Sequence, residues 1–382
     1  MPTRATKRGP LRTRLERDCD VLVCGASFAG LAVARELAGS GARVLVIDRY
    51  ELGERPTSAC AMPTVWLRAL GLMGSLRQSF DELIVHTPRG SSRWSLPWSF
   101  STFDYRELCA LLWSQGSCRE AELETATVTG RHGSTVCTDR GELRAPLIVD
   151  ALGWRRVLSN GAPIQPPNAR LSRGLEVHPP GRGEQLQLWI DPGYVRAGYS
   201  WSFPAGDELR VGVGSFWPAH HVKDPTVRLA ADLGLAAERY QGNWIPHQLR
   251  DAVEDGVFFA GDSAGHCLPL TAEGIRTALY FGLACGRELR AVIESRLACE
   301  QALRRYAAFS GAHARKYRWL LAAQRTVGML TPTRALPATT RLLERPRVAA
   351  WIFNQYLAIA PPSFVRDRQV RLPRARLATA AA

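Results

Sequence analysis

Residues 19–48 leave this chain few choices of fold. Asp20-Val21-Leu22-Val23-Cys24 is a short apolar run of strand character. It leads into the turn Gly25-Ala26-Ser27-Phe28-Ala29-Gly30 and then into Leu31-Ala32-Val33-Ala34-Arg35-Glu36-Leu37, which reads as a helix. Arg43-Val44-Leu45-Val46-Ile47 returns as a second strand and ends at Asp48. Each part has a job in holding a dinucleotide. Gly25 permits the tight turn. The helix start at Ser27, Phe28 and Ala29 offers unpaired N–H groups to a pyrophosphate, and Gly30 lets helix and strand pack closely. Asp48, with Arg49 beside it, lies at roughly the 20-residue spacing expected of an acid that accepts bonds from ribose hydroxyls. The middle glycine of the pattern is replaced by Ser27, whose hydroxyl either donates to a phosphate or crowds it.

Composition narrows the class. The 382 residues suffice for a large core and two joined domains. The net charge of +14 is almost all arginine, since the lysines are Lys7, Lys223 and Lys316 alone. No nucleic-acid-binding motif accompanies that charge, so it points instead to anionic small molecules or an anionic membrane face. The nine cysteines are odd in number and irregularly spaced, which reads as reduced thiols in a cytoplasmic protein with no metal site. No segment is long and apolar enough to span a bilayer.

Along the chain, residues 1–18 read as a frayed basic tail and 366–382 as a second disordered tail. Residues 81–103, rich in Trp, Ser and Pro, read as short strands. Asp104 starts a helix, and Leu147-Ile148-Val149-Asp150 is a buried strand. Residues 160–168 look like a crossing between domains, followed by alternating strands from Arg173 to Trp217 that suggest an antiparallel wall. Val257-Phe258-Phe259-Ala260 is expected to return to the first sheet as a buried parallel strand, and the remainder is helical. The expected division is a discontinuous nucleotide domain (19–80, 104–159 and 255–295), a substrate domain (81–103 and 160–254) and a C-terminal helical region (296–365).

A second signal follows the strand at 257–260. Gly261-Asp262-Ser263-Ala264-Gly265-His266 precedes Pro269-Leu270-Thr271-Ala272-Glu273-Gly274-Ile275 and a helix. A carboxylate placed at a glycine just after a buried strand can approach a polyol chain. A helix N-terminus at Gly274 and Ile275 favours negative charge on its neighbour. A third signal is Tyr199-Ser200-Trp201-Ser202-Phe203-Pro204, followed by Gly212-Val213-Gly214, which puts three aromatic rings on one face of a strand.

Together these segments resemble the FAD-dependent oxidoreductases of the geranylgeranyl reductase and aromatic-ring hydroxylase superfamily. The resemblance implies an α/β fold: an FAD-binding Rossmann-like domain of the glutathione-reductase type, an inserted mixed or antiparallel substrate sheet, and C-terminal helices. It implies FAD held by Gly25 to Gly30, Asp48, Arg49, Gly261, Asp262, Gly274 and Ile275, with Arg106 as the arginine that commonly contacts FAD. NAD(P)H is the implied electron donor. Asp150-Ala151-Leu152-Gly153 matches only in part a motif that the hydroxylases use for FAD and NADPH. The expected chemistry is hydride transfer from flavin N5 to a carbon–carbon double bond of an isoprenoid or other apolar substrate. The alternatives are a monooxygenase or halogenase acting on an aromatic or polyketide substrate, and a non-redox flavoprotein cyclase or a binding protein without cofactor. The resemblance also singles out Cys60, where reductases of the family carry a cysteine near the flavin, and the aromatic wall of Tyr199 and Trp201; His266 is a candidate proton donor. The residues identify no protein partner, and the aromatic and arginine-rich stretch from Arg341 to Leu357 suggests either peripheral membrane contact or packing onto the flavin domain.

Overall fold

In the computed structural model the described residues are 13–56, 59–116, 121–161, 164–166, 168–330 and 335–366. The chain opens with β1 (Val21–Cys24), α1 (Phe28–Leu37) and β2 (Val44–Asp48). Then come β3 (Ala61–Pro63), α2 (Thr64–Leu70), and a long hairpin of β4 (Leu76–Thr87) and β5 (Gly90–Phe103). α3 (Tyr105–Gly116) and β6 (Ala121–Thr125) lead to a small sheet of β7 (Val128–His132), β8 (Thr135–Thr138) and β9 (Gly141–Arg144), and then to β10 (Leu147–Asp150). The middle of the chain supplies β11 (Leu171–Val177), β12 (Leu186–Trp189), β13 (Gly198–Pro204), β14 (Leu209–Ser215), α4 (Lys223–Asp232) and β15 (Gln241–Pro246). It closes with β16 (Val253–Glu254), β17 (Val257–Phe259), α5 (Ile275–Ile293), α6 (Cys299–Gly311), α7 (Ala314–Leu330), α8 (Ala335–Leu342) and α9 (Pro346–Leu357).

Two large sheets result. The first has six strands in the order β16-β17-β10-β1-β2-β6 and is parallel except at β16. Its central strands β17, β10, β1 and β2 are mainly apolar and buried, as strands covered on both faces must be, while the edge strands β6 and β16 carry glutamates. The second has eight strands in the order β15-β11-β14-β13-β12-β4-β5-β3, antiparallel except where β12 meets β4. This is the expected α/β architecture, with the strand at 257–259 returning to the first sheet in parallel with β10. Two expectations shift. The residues before 81 already belong to the second sheet, because β3 and the start of β4 pair with β5. Residues 81–103 form one long hairpin rather than several short strands, held by continuous pairing from Leu76/Phe103 to Thr87/Gly90 with two irregularities.

The core of the first sheet is tight enough to need backbone-to-backbone contact. α1 lies on α5 through glycines: a Cβ at Gly282 would sit 2.5 Å from the Ala29 carbonyl oxygen, and one at Gly286 2.9 Å from that of Val33. The chain start is anchored rather than frayed from residue 13 on. Leu15 is buried, its N–H donates to the Arg140 carbonyl at 2.7 Å, and Arg140 donates back to Thr13. The rest of that expected tail and nearly all of the C-terminal one, 367–382, lie outside the described residues.

The C-terminal helices fold back onto both sheets. Arg276, fully buried at the start of α5, pairs with Glu273 (2.8 Å) and donates to the carbonyls of Tyr356, Leu357 and Ala360. Trp66 donates to the same Ala360 carbonyl at 3.0 Å. Trp98 of β5 stacks on Tyr356 and meets Phe353 edge-on. Packing therefore takes the face of α9 that carries Ala349, Phe353 and Tyr356, while Trp351 and Ile352 stay exposed. No helix among the described residues is long and apolar enough to cross a membrane.

Candidate functional site

The parallel strands deliver their functional loops to one edge. Cys24, Asp150 and Phe259 end β1, β10 and β17 in register. Stitching bonds join them: Gly25 N–H to Ile47 O, Ala151 N–H to Cys24 O, and Ala260 N–H to Asp150 O. The loops that follow crowd together. A Cβ at Gly25, which has φ +113°, would lie 2.3 Å from Ala151 O; one at Gly30 would lie 1.8 Å from Gly25 O. At Gly261, with φ +66°, the Cβ would meet the Cβ of Ala29 at 2.9 Å. The glycine turn, the Asp150 loop and the Gly261 segment, far apart in sequence, are thus in mutual contact. In an open parallel sheet, ligands bind beyond the carboxyl ends of the strands.

A groove of about 1460 Å³ opens there, lined by Ser27, Ala29, Asp48, Asp262, Gly274 and Ile275 among others. Its wall on the side of the first sheet is made of helix ends. Leu31 N–H is the first to bond back within α1, to Ser27 O, so the N–H groups of Phe28, Ala29 and Gly30 have no partner within the helix. At α5 the first such bond is Ala278 N–H to Gly274 O. Two helix N-termini therefore point partial positive charge at one cavity. Ser27 sits at the α1 N-cap with φ −113°, an extended conformation that needs no glycine. Its hydroxyl oxygen accepts from Tyr105 at 3.1 Å, which holds the side chain to one side of the helix end.

The acids behave differently from one another. Asp48 accepts from the Ala26 N–H (2.7 Å) and the Tyr50 N–H (3.0 Å), one on each oxygen, and keeps lone pairs for a ligand. Burial raises its pKa against those bonds. The Asp262 carboxylate has no hydrogen-bond partner among the described residues, and burial pushes its pKa up to about 6, with Arg250 opposing. A groove-lining carboxylate without a protein partner suits a hydroxylated ligand. Asp150, in contrast, is fully buried and spent, accepting from Leu152, Leu158 and the Ser263 hydroxyl. Arg156 is equally committed, to the Asp251 and Ser263 carbonyls and to Glu254, with its guanidinium 3.5 Å from the centre of the Phe259 ring. Arg155 lines the groove.

The second sheet forms the opposite wall. Tyr199, Trp201 and Phe203 face the groove along β13, joined by Trp94, Trp98 and Phe100 from β5. Cross-strand register explains the Gly-x-Gly sequence of β14. Gly212 pairs with Trp201 on one side and Glu176 on the other. A Cβ on Gly212 would fall 2.3 Å from the indole, so the bare backbone is what lets the ring lie across the strand. There the Trp201 Nε1 donates to Glu176 Oε2 at 3.2 Å. Tyr199 donates to the Thr271 carbonyl, and burial raises its pKa.

Three residues singled out in sequence sit elsewhere. Arg106 is exposed, its Cα and Cβ against Gly53 at the groove's edge; the helix phase turns its neighbour Tyr105 into the cavity instead. Cys60 is buried with φ +50°, while the adjacent Ala59 and Ala61 line the groove. Burial pushes its thiol pKa up, opposite to what a nucleophile needs. His266 is wholly buried behind the groove, stacked on Phe281 at 3.7 Å with Nε2 3.0 Å from the Ser310 hydroxyl. Burial lowers its pKa well below the ordinary value, which disfavours the charged imidazolium that a proton donor would need. Cys267 does line the groove, and burial raises its thiol too. Sequence reading missed Glu176 and His178. Their one signal was an acid and a histidine two apart at the end of β11, a spacing that puts both on one face. Among the described residues no cluster of His, Cys, Asp and Glu could hold a metal ion.

These features fit FAD. Paired helix N-termini, a ribose-side acid, an unpartnered acid at the second helix and glycine-tight loops are the donor set a dinucleotide flavin needs. Comparison with known proteins agrees. No family model matches the chain. A digeranylgeranylglycerophospholipid reductase of Methanosphaera stadtmanae is 24% identical over 333 residues, covering 78% of this chain and 83% of that one. A geranylgeranyl bacteriochlorophyll reductase-like protein of Thermoplasma acidophilum superposes with a TM-score of 0.76 at 16% identity, over 91% of this chain and 98% of the other. A probable FAD-dependent monooxygenase of Pseudomonas aeruginosa gives 0.65 at 19%, over 84% and 99%. The two structures share the fold. The chain is an FAD-dependent oxidoreductase, similar in sequence to geranylgeranyl reductases and in fold to an FAD-dependent monooxygenase.

Proposed function

We propose that this enzyme reduces carbon–carbon double bonds of an isoprenoid or similarly long apolar substrate, with NAD(P)H as the electron donor. The observation that carries this reading is the aromatic wall of Tyr199, Trp201, Phe203, Trp94 and Trp98, which faces the dinucleotide-type cradle across one continuous groove. A long hydrocarbon chain loses apolar surface to such a wall without needing polar partners. The reductase names of the relatives support it.

The chain's own residues divide the work. The N–H groups at the start of α1 bind the pyrophosphate, Asp48 accepts from ribose hydroxyls, and Asp262 accepts from the ribityl chain. The N-terminus of α5 favours negative charge on the ring edge beside it. When bound and reduced, FAD supplies hydride. The aromatic wall orients the substrate bond and excludes water.

The proposal extends to where the substrate is met. Trp319 of α7 and Trp351 and Ile352 of α9 are exposed and also line the groove, beside Arg345 and Arg347. Exposed indoles next to arginines suit the surface of an anionic membrane. Anaerobic turnover of a prenyl alcohol or prenyl lipid with NADPH, followed by product mass, tests the central reading. A gain of two mass units for each double bond reduced supports it. Oxygen uptake stimulated by an aromatic substrate, with no anaerobic product, would move the assignment to a hydroxylase.

A further inference from the structure

A row of buried charge crosses the second sheet behind the aromatic wall. Glu176 lines the groove and is 3% exposed. Its Oε2 accepts from Trp201, and its Oε1 accepts from His178 Nε2 at 2.9 Å. His178, itself buried, has Nδ1 3.6 Å from Glu208 Oε1. Glu208 pairs with Arg210 at 3.0 Å and approaches Arg239 at 3.6 Å. Arg210 in turn donates to the carbonyls of Ala59, Cys60 and Phe103. On the remaining side Gln241 of β15 sets Nε2 3.4 Å from His178 Nδ1, while its Oε1 is buried and unpartnered among the described residues. Turning that amide over would place the unpartnered oxygen against an Nδ1–H, as a doubly protonated imidazole requires.

Charge balance explains the arrangement. Glu176 and Glu208 face Arg210 and His178 in a region with little water. Arg210 and Arg239 both contact Glu208, so a neutral imidazole would leave Glu176, held by Trp201 and His178, without a charged partner among the described residues, which is costly when buried. Burial by itself would lower the pKa of His178, and Arg210 opposes protonation further. The bonds to Glu176 and Glu208 outweigh both, so the net direction is upward. Glu208 is held down to about 2 against its own burial by His178 and Arg210. The row therefore stores one transferable proton next to the groove.

Other groove residues are poorer sources. Tyr199 already donates to Thr271, Cys267 holds a thiol of raised pKa, and Glu273 is tied to Arg276. We propose that Glu176 delivers the proton that completes reduction of the substrate double bond, with His178 as the positioning residue that recharges it. This rests on the reductase reading above. The step balances as follows. The alkene π pair takes the proton from the Glu176 carboxyl group, forming C–H at one carbon as O–H breaks, and the neighbouring carbon takes the hydride with its electron pair that reduced FAD, when bound, would supply. The proton on Glu176 comes from His178 Nε2, and His178 regains one from solvent on the side of the partly exposed Glu208.

Two measurements decide it. In cofactor-free protein, NMR titration of ring-labelled histidine, with His178→Gln to assign the signal, should place the His178 midpoint above the ordinary value of about 6.5. Glu176→Gln should lower that midpoint by at least about one pH unit. In the FAD-loaded enzyme, Glu176→Gln should cut anaerobic kcat on a prenyl substrate by about 10²-fold or more. NADPH should still bleach the flavin at the wild-type rate, and Glu176→Asp should restore part of the loss. The alkaline limb of kcat should follow the His178 midpoint. Turnover of Glu176→Gln within threefold of wild type overturns the proposal, as does a His178 midpoint unchanged by that substitution. A shifted midpoint in a wild-type protein that reduces no prenyl substrate sinks the functional reading instead, leaving the shared proton intact.

Discussion

The two walls of the groove are built on different principles. The wall of the first sheet presents backbone: N–H groups at the starts of α1 and α5, with glycines that let loops touch. The wall of the second sheet presents side chains: Trp201, Glu176 and the rings of β5, brought together by strand register. A backbone-built site depends on where a Cβ is missing and tolerates changes of side chain elsewhere. A site built from side chains depends on which strands are neighbours, and one displaced ring disturbs several partners.

The contrast is broken most severely at Gly30. Gly30→Ala puts a methyl group 1.8 Å from the Gly25 carbonyl oxygen, backbone that cannot step aside. We expect destabilisation beyond about 4 kcal/mol and protein purified without yellow colour, checked by thermal melting and flavin absorbance. Gly212→Ala is the counterpart across the groove. It drives into the Trp201 indole and separates it from Glu176, at about 1–3 kcal/mol. Flavin affinity should stay within about twofold of wild type, because no part of the dinucleotide cradle moves; denaturant melts and FAD titration test this, and equal loss of FAD would refute the division.

Asp262 sharpens the comparison through pH. Its pKa in the folded protein, about 6, lies above the ordinary 3.8. It therefore contributes stability when protonated; that contribution is complete below about pH 4 and lost as pH rises through 6. In cofactor-free protein Asp262→Asn should be more stable than wild type by about 2–3 kcal/mol at pH 8 and equal to it near pH 4. Urea melts at the two pH values measure this. The same substitution should weaken FAD about tenfold or more by removing a charged acceptor. The smallest effect belongs to Ser27→Gly. The backbone there is already extended, so restoring the glycine should alter FAD affinity by no more than about threefold, with about 1 kcal/mol lost from the Tyr105 bond.

The same division decides what could be read from the sequence. The first wall is local: Gly25, Gly30 and Asp48 lie within one βαβ unit, and Gly261 and Asp262 follow one strand, so spacing alone assembles them. The aromatic face of β13 was legible by alternation. Glu176 was not, because its importance comes from Gly212 standing between it and Trp201, a relation of strand order rather than of spacing. Arg106 was one residue out of phase with the groove, a difference that only helix orientation fixes. Cys60 and His266 were misplaced for a common reason. Each adjoins groove residues, but the left-handed backbone at Cys60 and the tight turn after Gly265 send their side chains inward. The clamp of Arg276 on the last turn of α9 spans segments that nothing in the sequence links.

One consequence concerns the thiols. Flavoenzymes exposed to air leak electrons to oxygen and generate peroxide beside their own cysteines. Peroxide attacks thiolate, not thiol. Cys24, Cys60, Cys267 and Cys285 are all buried, with ionisation driven away from neutral pH, including the one that touches the cavity where such peroxide would form. The interior is in that sense self-protecting, able to carry sulfur close to a redox centre without becoming its target.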